Sequence, residues 1–286
     1  MSSFHHAEFP ADRLRAERRE TVSVCVPARE EAATIAGIVQ PLVALREAGV
    51  IDQVVVLDDD STDETGAIAS ALGADVVRPA TLLPQYGPIL GKGDAMWRAL
   101  SILTGELVAF VDADSEDFGA HFACGLLGPL VCEPGMQFVK GFYRRPFKST
   151  ADEVQPTGGG RVTELTARPL LAAFYPQLVD VRQPLAGEIA ARRDLLEALP
   201  FCTGYGVEIG LLIDVWRSAG IGAIAQVDLD VRQNRHRPLE DLAPMSAAVL
   251  GAVTRRLQHE GRLREAAQPG DAPERPPLAD LLELKT

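Results

Sequence analysis

The residues best suited to chemistry are Asp112 and Asp114, two carboxylates separated only by Ala113. Carboxylates at i and i+2 beyond a buried strand can converge on one hard divalent cation. Mg2+ and Mn2+ favour oxygen ligands and keep positions open for water or phosphate oxygens. Such a cation bridges a diphosphate and stabilises the charge that grows on it as a leaving group. The plainer reading is a solvated, Asp-rich turn, because so short a motif recurs by chance. The apolar run Leu107 to Val111 immediately before it favours the metal reading.

Other candidates follow strand-like runs in the same way. Pro27-Ala28-Arg29-Glu30-Glu31 can line a nucleoside pocket, or simply acidify a helix N-terminus. Asp58 and Asp59 can meet a base or ribose, or cap a helix. Gly91-Lys92-Gly93 lacks the P-loop spacing, but its amides and lysine can meet a phosphate oxygen. Gly158-Gly159-Gly160-Arg161-Val162-Thr163 combines free backbone approach, a guanidinium fork and a hydroxyl, which suits a small phosphorylated or carboxylated acceptor. The alternative there is a flexible loop. Lys140, Tyr143, Arg144 and Arg145 form either a solvated edge or part of the acceptor site. In Arg232-Gln233-Asn234-Arg235-His236-Arg237-Pro238, His236 can ligate a metal, although a lone His is more often a surface residue. No Ser-His-Asp arrangement supports hydrolysis.

The elements that must hold these residues alternate strand and helix. Strands are expected at Val22 to Val26, Val54 to Leu57, Ala74 to Arg78 and Leu107 to Val111. Helices are expected over Glu30 to Ala48, from Ser61 to Ala71, and over Asp94 to Thr104. The pattern predicts a parallel, doubly wound sheet, with ligands beyond the carboxyl ends of its strands. Further on, strands are expected at Phe138 to Tyr143 and Ala223 to Val231. Helices are expected up to Leu165, over Gly187 to Leu199 and over Glu208 to Ala219. Residues 1–20 are read as a flexible polar segment and 261–286 as a mobile tail rich in Pro, Gly and charge.

Bulk properties exclude some classes. The net charge of -12 over 286 residues argues against wrapping nucleic acid. The four cysteines, Cys25, Cys124, Cys132 and Cys202, form no C-x-x-C pair, so they read as buried thiols of a cytoplasmic protein. The first twenty residues carry no apolar signal core, and no membrane span is expected.

Longer segments carry a family resemblance over roughly Thr21 to Met245. They are Val-Pro-Ala-Arg-Glu-Glu (26–31), Val-Leu-Asp-Asp-Asp-Ser-Thr-Asp (56–63), Gly-Lys-Gly-Asp-Ala-Met-Trp-Arg (91–98) and Phe-Val-Asp-Ala-Asp (110–114). More specific are Val-Lys-Gly-Phe-Tyr-Arg-Arg-Pro (139–146), Thr-Gly-Gly-Gly-Arg-Val-Thr-Glu-Leu (157–165), Pro-Leu-Ala-Gly-Glu (184–188) and Gly-Tyr-Gly-Val-Glu-Ile-Gly-Leu-Leu-Ile-Asp (204–214). With these the chain resembles the bacterial glucosyl-3-phosphoglycerate synthases, a family shared with some mannosyl-3-phosphoglycerate synthases.

The resemblance implies an α/β GT-A fold, with a Rossmann-like nucleotide-sugar half over 21–137 and a mixed acceptor half over 138–260. It implies retaining transfer of glucose from UDP-glucose to 3-phosphoglycerate, assisted by Mg2+ or Mn2+, in a cytoplasmic homodimer. Pro27, Ala28, Glu31, Asp59, Lys92, Asp112 and Ala113 would bind the donor nucleotide, and Asp114 the metal. Gly160, Arg161 and Thr163 would hold the phosphoglycerate. Leu185, Tyr205, Glu208 and Arg232 would surround the sugar, with Glu208, Asp114 and Arg232 nearest the chemistry. Where the family has a metal-binding His, this chain has Asn234, so Asn234 or His236 completes the metal shell. The alternatives are a mannosyl-3-phosphoglycerate synthase using GDP-mannose and a non-catalytic nucleotide-sugar-binding protein.

Overall fold

Strand β2 (Val22–Ala28), β3 (Gln53–Asp58) and β5 (Leu107–Phe110) are the apolar runs around which the fold is built. Their alternate residues feed two different cores. Val24, Val26, Val54 and Val56 pack on one face of the sheet, and Cys25, Val55, Leu57, Val108 and Phe110 on the other. A strand that is apolar on both sides must be covered on both sides, which is the layered α/β solution. The computed structural model describes residues 1–145, 147–148, 154–155, 160–233, 239–263 and 274–282.

The central sheet has eight strands. The others are β1 (Ser2–His5), β4 (Asp75–Val77), β6 (Phe138–Arg144), β7 (Ile189–Arg192) and β8 (Ile224–Val231), in the order β1-β8-β6-β7-β5-β2-β3-β4. All neighbours are parallel except β7, which runs antiparallel to both β5 and β6. Helices α2 (Ile35–Glu47), α3 (Thr65–Ala71) and α5 (Ala120–Cys132) belong to one side. On the other lie α4 (Lys92–Ala99), α6 (Arg168–Phe174), α7 (Val207–Ala219) and α8 (Leu239–His259).

Three expectations need correction. The helix expected over Gly187 to Leu199 is strand β7 followed by a short helix, Arg193–Glu197. Ile189, Ala190 and Ala191 have helix-compatible side chains. They instead bridge the edges of β5 and β6, whose buried backbone groups need partners. The flexible segment expected over 1–20 instead forms edge strand β1, paired in parallel with β8, and a helix α1 (Ala11–Glu17). Phe9 and Leu14 are buried, and a Cβ at Gly128 would land on the Phe9 ring, so the glycine admits this anchor. His6 Nε2 lies 2.6 Å from Asp230, tying β1 to β8. Within the tail expected to be mobile from 261, Glu274–Arg275 instead pairs antiparallel with Phe201–Cys202 and Leu278–Leu282 forms a short helix.

Candidate active site

At the carboxyl ends of β2, β3 and β5 the chain leaves the sheet in loops that open onto one cleft of ≈ 710 Å3. From the first half, Pro27, Ala28, Glu31, Asp59, Lys92, Asp112, Ala113 and Asp114 line it. From the second half come Gly160, Arg161, Thr163, Leu185, Tyr205, Glu208 and Arg232. Every expected site residue thus meets in one space except Asn234, which lies outside the described residues, as does His236.

The β2 and β3 loops are built on each other. The Glu30 amide donates to Ser61 Oγ at 3.0 Å, and the Thr62 amide donates to a Glu30 carboxylate oxygen at 2.7 Å. Glu30 and Asp60 both adopt positive φ, 57° and 53°. Two acidic residues at the end of β3 divide their work. Asp58 accepts from the Ser61 amide at 3.1 Å and stabilises the turn, while Asp59 faces the cleft. Asp63 accepts from the Thr65 amide at 3.0 Å just ahead of α3, whereas the N-cap residue Glu64 makes no side-chain capping hydrogen bond. Thr34 Oγ1 donates to the Ala113 carbonyl at 2.7 Å, fixing the middle of the Asp112-Ala113-Asp114 turn against α2.

Gly91-Lys92-Gly93 owes its glycines to packing. Gly91 has φ of 103°, and a Cβ at Gly93 would land on the Cys202 carbonyl oxygen. The start of α4 therefore lies close against residues 202–203, and Lys92 projects into the cleft. Its Nζ pairs with Asp112 and donates to Glu208 Oε1 at 2.9 Å. Glu208 sits in the first turn of α7, nearly buried.

Arg232 is 1% exposed and gathers the remaining carboxylates. It donates to Asp112 Oδ2 at 3.0 Å and to Glu188 at 2.9 Å, and it pairs with Asp114. Its Nη1 also donates to Tyr143 Oη at 2.6 Å, and that hydroxyl donates to Glu188 at 2.8 Å. Beneath them Lys140 Nζ donates to the Ala186 carbonyl at 2.8 Å. Burial favours neutral Asp112, but the charges of Lys92 and Arg232 outweigh it and hold the carboxyl well below its usual range. Burial also lowers Lys92, yet Asp112 and Glu208 reverse this and raise it above a normal lysine. Lys140, with less compensation, is pulled down by burial to about 8.

The two aspartates are therefore not equivalent. Both oxygens of Asp112 are held by cations, so it is an organiser rather than an open ligand. Asp114 is also paired with Arg232, but with a side chain 36% exposed it is the more accessible of the two. Glu188, Tyr143, Lys140 and Gly187 complete this arrangement, and residue-by-residue reading did not single out Glu188 or Gly187. A Cβ at Gly187 would land on the Asp112 carboxylate, so the Gly-Glu pair inside Pro-Leu-Ala-Gly-Glu (184–188) was their signal.

A mixed sheet of this order, with one cleft at the strand ends and an Asp-x-Asp turn inside it, defines a GT-A glycosyltransferase. Residues 23–123 match the Glycosyl transferase family 2 model. The chain belongs to the glucosyl-3-phosphoglycerate synthase family. It is 48% identical to a Mycolicibacterium smegmatis protein of that name, over 86% of this chain and 80% of the relative. Among solved structures, a mannosyl-3-phosphoglycerate synthase from Rubrobacter xylanophilus superposes with TM-score 0.90 at 44% identity, covering 98% of this chain and 97% of the other. A Mycobacterium tuberculosis glucosyl-3-phosphoglycerate synthase in complex with Mn2+, UDP-glucose and phosphoglyceric acid gives TM-score 0.87 at 40% identity, covering 98% and 99%.

Proposed function

We propose that this enzyme transfers glucose from UDP-glucose to 3-phosphoglycerate with retention at the anomeric carbon. The observation that carries the reading is the shared cleft, in which the donor-side residues and Gly160, Arg161 and Thr163 face one space. The Mycobacterium tuberculosis relative binds this donor and acceptor pair. Residues 21–137 supply the nucleotide-sugar half and 138–260 the acceptor half.

The oxygen-rich turn suits Mg2+ or Mn2+. Asp114 would hold the cation, with Asn234 or His236 as further ligand, and Asp112 stays bound by Lys92 and Arg232. When bound, the cation neutralises charge developing on the departing diphosphate. Pro27, Ala28, Glu31, Asp59 and Ala113 line the nucleotide space, and Lys92 adds a cation at the N-terminus of α4, where backbone amides favour anions. Leu185, Tyr205 and Glu208 shape the sugar space. Glu208 is paired with Lys92, so it suits a sugar-hydroxyl contact rather than a free nucleophile. Retention then follows a front-face course, in which the leaving oxygen takes the acceptor hydroxyl proton while the protein supplies position and electrostatics. Arg161 and Thr163 hold the acceptor phosphate.

The Rubrobacter xylanophilus neighbour supports a second reading, mannosyl transfer from GDP-mannose. One assay separates them: release of nucleoside diphosphate with 3-phosphoglycerate, the metal, and UDP-glucose, GDP-glucose or GDP-mannose in turn. Turnover with UDP-glucose is expected. Preference for GDP-mannose would transfer the assignment, and binding without turnover would mark a non-catalytic nucleotide-sugar binder. A cytoplasmic homodimer is the assembly we assign, on family resemblance. Among the described residues no helix is long and apolar enough to cross a membrane, and light scattering checks the dimer.

A further inference from the structure

The residues at 274–276 touch α4 directly and reach α7 through Arg256 of α8, and these are the two helices that deliver the paired side chains of the cleft. Asp94, two residues after Lys92, is 0% exposed. Arg275 grips it with two hydrogen bonds, 2.8 Å and 2.9 Å, and Arg98 adds two longer ones, 3.1 Å and 3.4 Å. The other duties of Asp94 and Arg98 concern the loop that enters α4. Asp94 accepts from the Leu90 amide at 2.9 Å, and Arg98 donates to the carbonyls of Leu82 and Gly87 at 2.7 Å and 2.8 Å. The Pro276 carbonyl accepts from Trp97 Nε1 at 2.8 Å, a second tie to α4.

On the other side, Glu274 lies 3.0 Å from Arg256, whose guanidinium is also bound to Asp214 in α7. That helix carries Glu208 in its first turn. Backbone pairing of Glu274–Arg275 with Phe201–Cys202 then places the segment against the very carbonyl that Gly93 approaches. A buried carboxylate with two guanidiniums, and a buried guanidinium with two carboxylates, are more than backbone pairing of two residues requires. Their common product is the relative placement of α4 and α7, and the Lys92–Glu208 pair spans the gap between them.

We infer that the 274–276 segment is a strap that positions Lys92 and Glu208 for the donor, with Arg275 as its positioning residue. This deepens the proposed transfer reaction and rests on it. Neither Glu274 nor Arg275 lines the cleft, so the strap acts through α4 and α7 rather than by touching substrate. Loss of Arg275 leaves Asp94 with one guanidinium and frees the start of α4, which loosens the donor side while Gly160, Arg161 and Thr163 keep their geometry.

The test uses the full-length, metal-loaded enzyme with Arg275→Ala, Lys92→Ala and the double variant, reading kcat, both KM values and the Kd for UDP. In Arg275→Ala the donor KM and the UDP Kd are expected to rise about tenfold, as for residues that couple through a packed network, with the acceptor KM essentially unchanged. Lys92→Ala should then cost less in the Arg275→Ala background than in the wild type, the mark of one shared unit. Arg275→Lys keeps the charge and should restore part of the donor affinity; if Arg275→Ala does not fold, this variant is read on the same scales. A lower Tm with unchanged donor KM and UDP Kd would overturn the inference, as would full additivity. If the wild type binds UDP without transferring glucose, the reaction assignment fails, and the UDP Kd of the variants still decides the strap.

Discussion

At the scale of single residues, the cleft divides its charges between holding itself together and meeting ligands. Asp112 is bound on both oxygens by Lys92 and Arg232, whereas Asp114, also paired with Arg232, has the more exposed carboxylate. Asp114→Ala is expected to lower metal-dependent kcat by about a hundredfold to a thousandfold, the usual cost of losing a charge-stabilising contact in the transition state. Near-normal turnover at saturating Mg2+ would remove Asp114 from the metal site. Arg161, which lines the cleft, is proposed for the acceptor side, and a charge-assisted hydrogen bond contributes about 1.5–3 kcal/mol. Arg161→Ala should therefore raise the KM for 3-phosphoglycerate by roughly tenfold to a hundredfold with the donor KM unchanged, measured by steady-state kinetics. Asp112, Asp114, Lys92 and Arg161 were legible in the sequence because each follows a recognisable strand or glycine signal. The partnership of Arg232 with Glu188 was not, because they lie 44 positions apart and meet only where the end of β8 and the start of β7 come together across β6.

At the scale of elements, the site depends on helix starts pressed against backbone. Gly93 shows this most directly, since a Cβ there would occupy the place of the Cys202 carbonyl oxygen. Gly93→Ala should push α4 away from residues 201–203 and destabilise the fold by about 1–3 kcal/mol, the cost of overpacking a tight interior. Chemical denaturation measures that loss, and an unchanged midpoint would show that the contact relaxes without cost. The same helix start carries Lys92, so donor binding should weaken along with stability. Strands β2, β3 and β5 could be read from their apolar runs. Strand β7 could not, because Ile189-Ala190-Ala191 is too short for periodicity to separate strand from helix, and only the open edges of β5 and β6 select the strand.

At the scale of the whole molecule, buried charge makes stability depend on pH. Asp112 and Asp94 are both held below the usual carboxylate range. For each, burial opposes ionisation but the neighbouring cations outweigh it, Lys92 and Arg232 at Asp112, and Arg275 and Arg98 at Asp94. Their native values lie below the unfolded ones. Their contribution is therefore complete above the ordinary carboxylate pKa of about 4 and is lost as pH falls through the native values. The urea midpoint should be flat near neutrality and fall steeply below about pH 4. Asp112→Asn should flatten that acid limb, and an unchanged slope would show that other carboxylates carry it. Lys140 adds a slope of the same sign at higher pH, although its charged form costs stability rather than supplying it. Its native value of about 8 lies below that of a free lysine, so its charged form costs stability that is recovered as pH rises through that value.

The sequence by itself determined much of the alternation of strands and helices, the two acidic turns at strand ends and the family. These follow from local residue types, because apolar runs, turn chemistry and short motifs act over a few positions. Only the tertiary structure decided that Asp112 is held on both oxygens while Asp114 is the more exposed, that Ile189–Arg192 is a strand, and that Phe9 and Arg275 anchor segments expected to be loose. Each of those outcomes is a competition for a partner far along the chain. A buried carboxylate, an unpaired strand edge or an apolar hollow selects the group that satisfies it, and the winner cannot be read until the chain has folded.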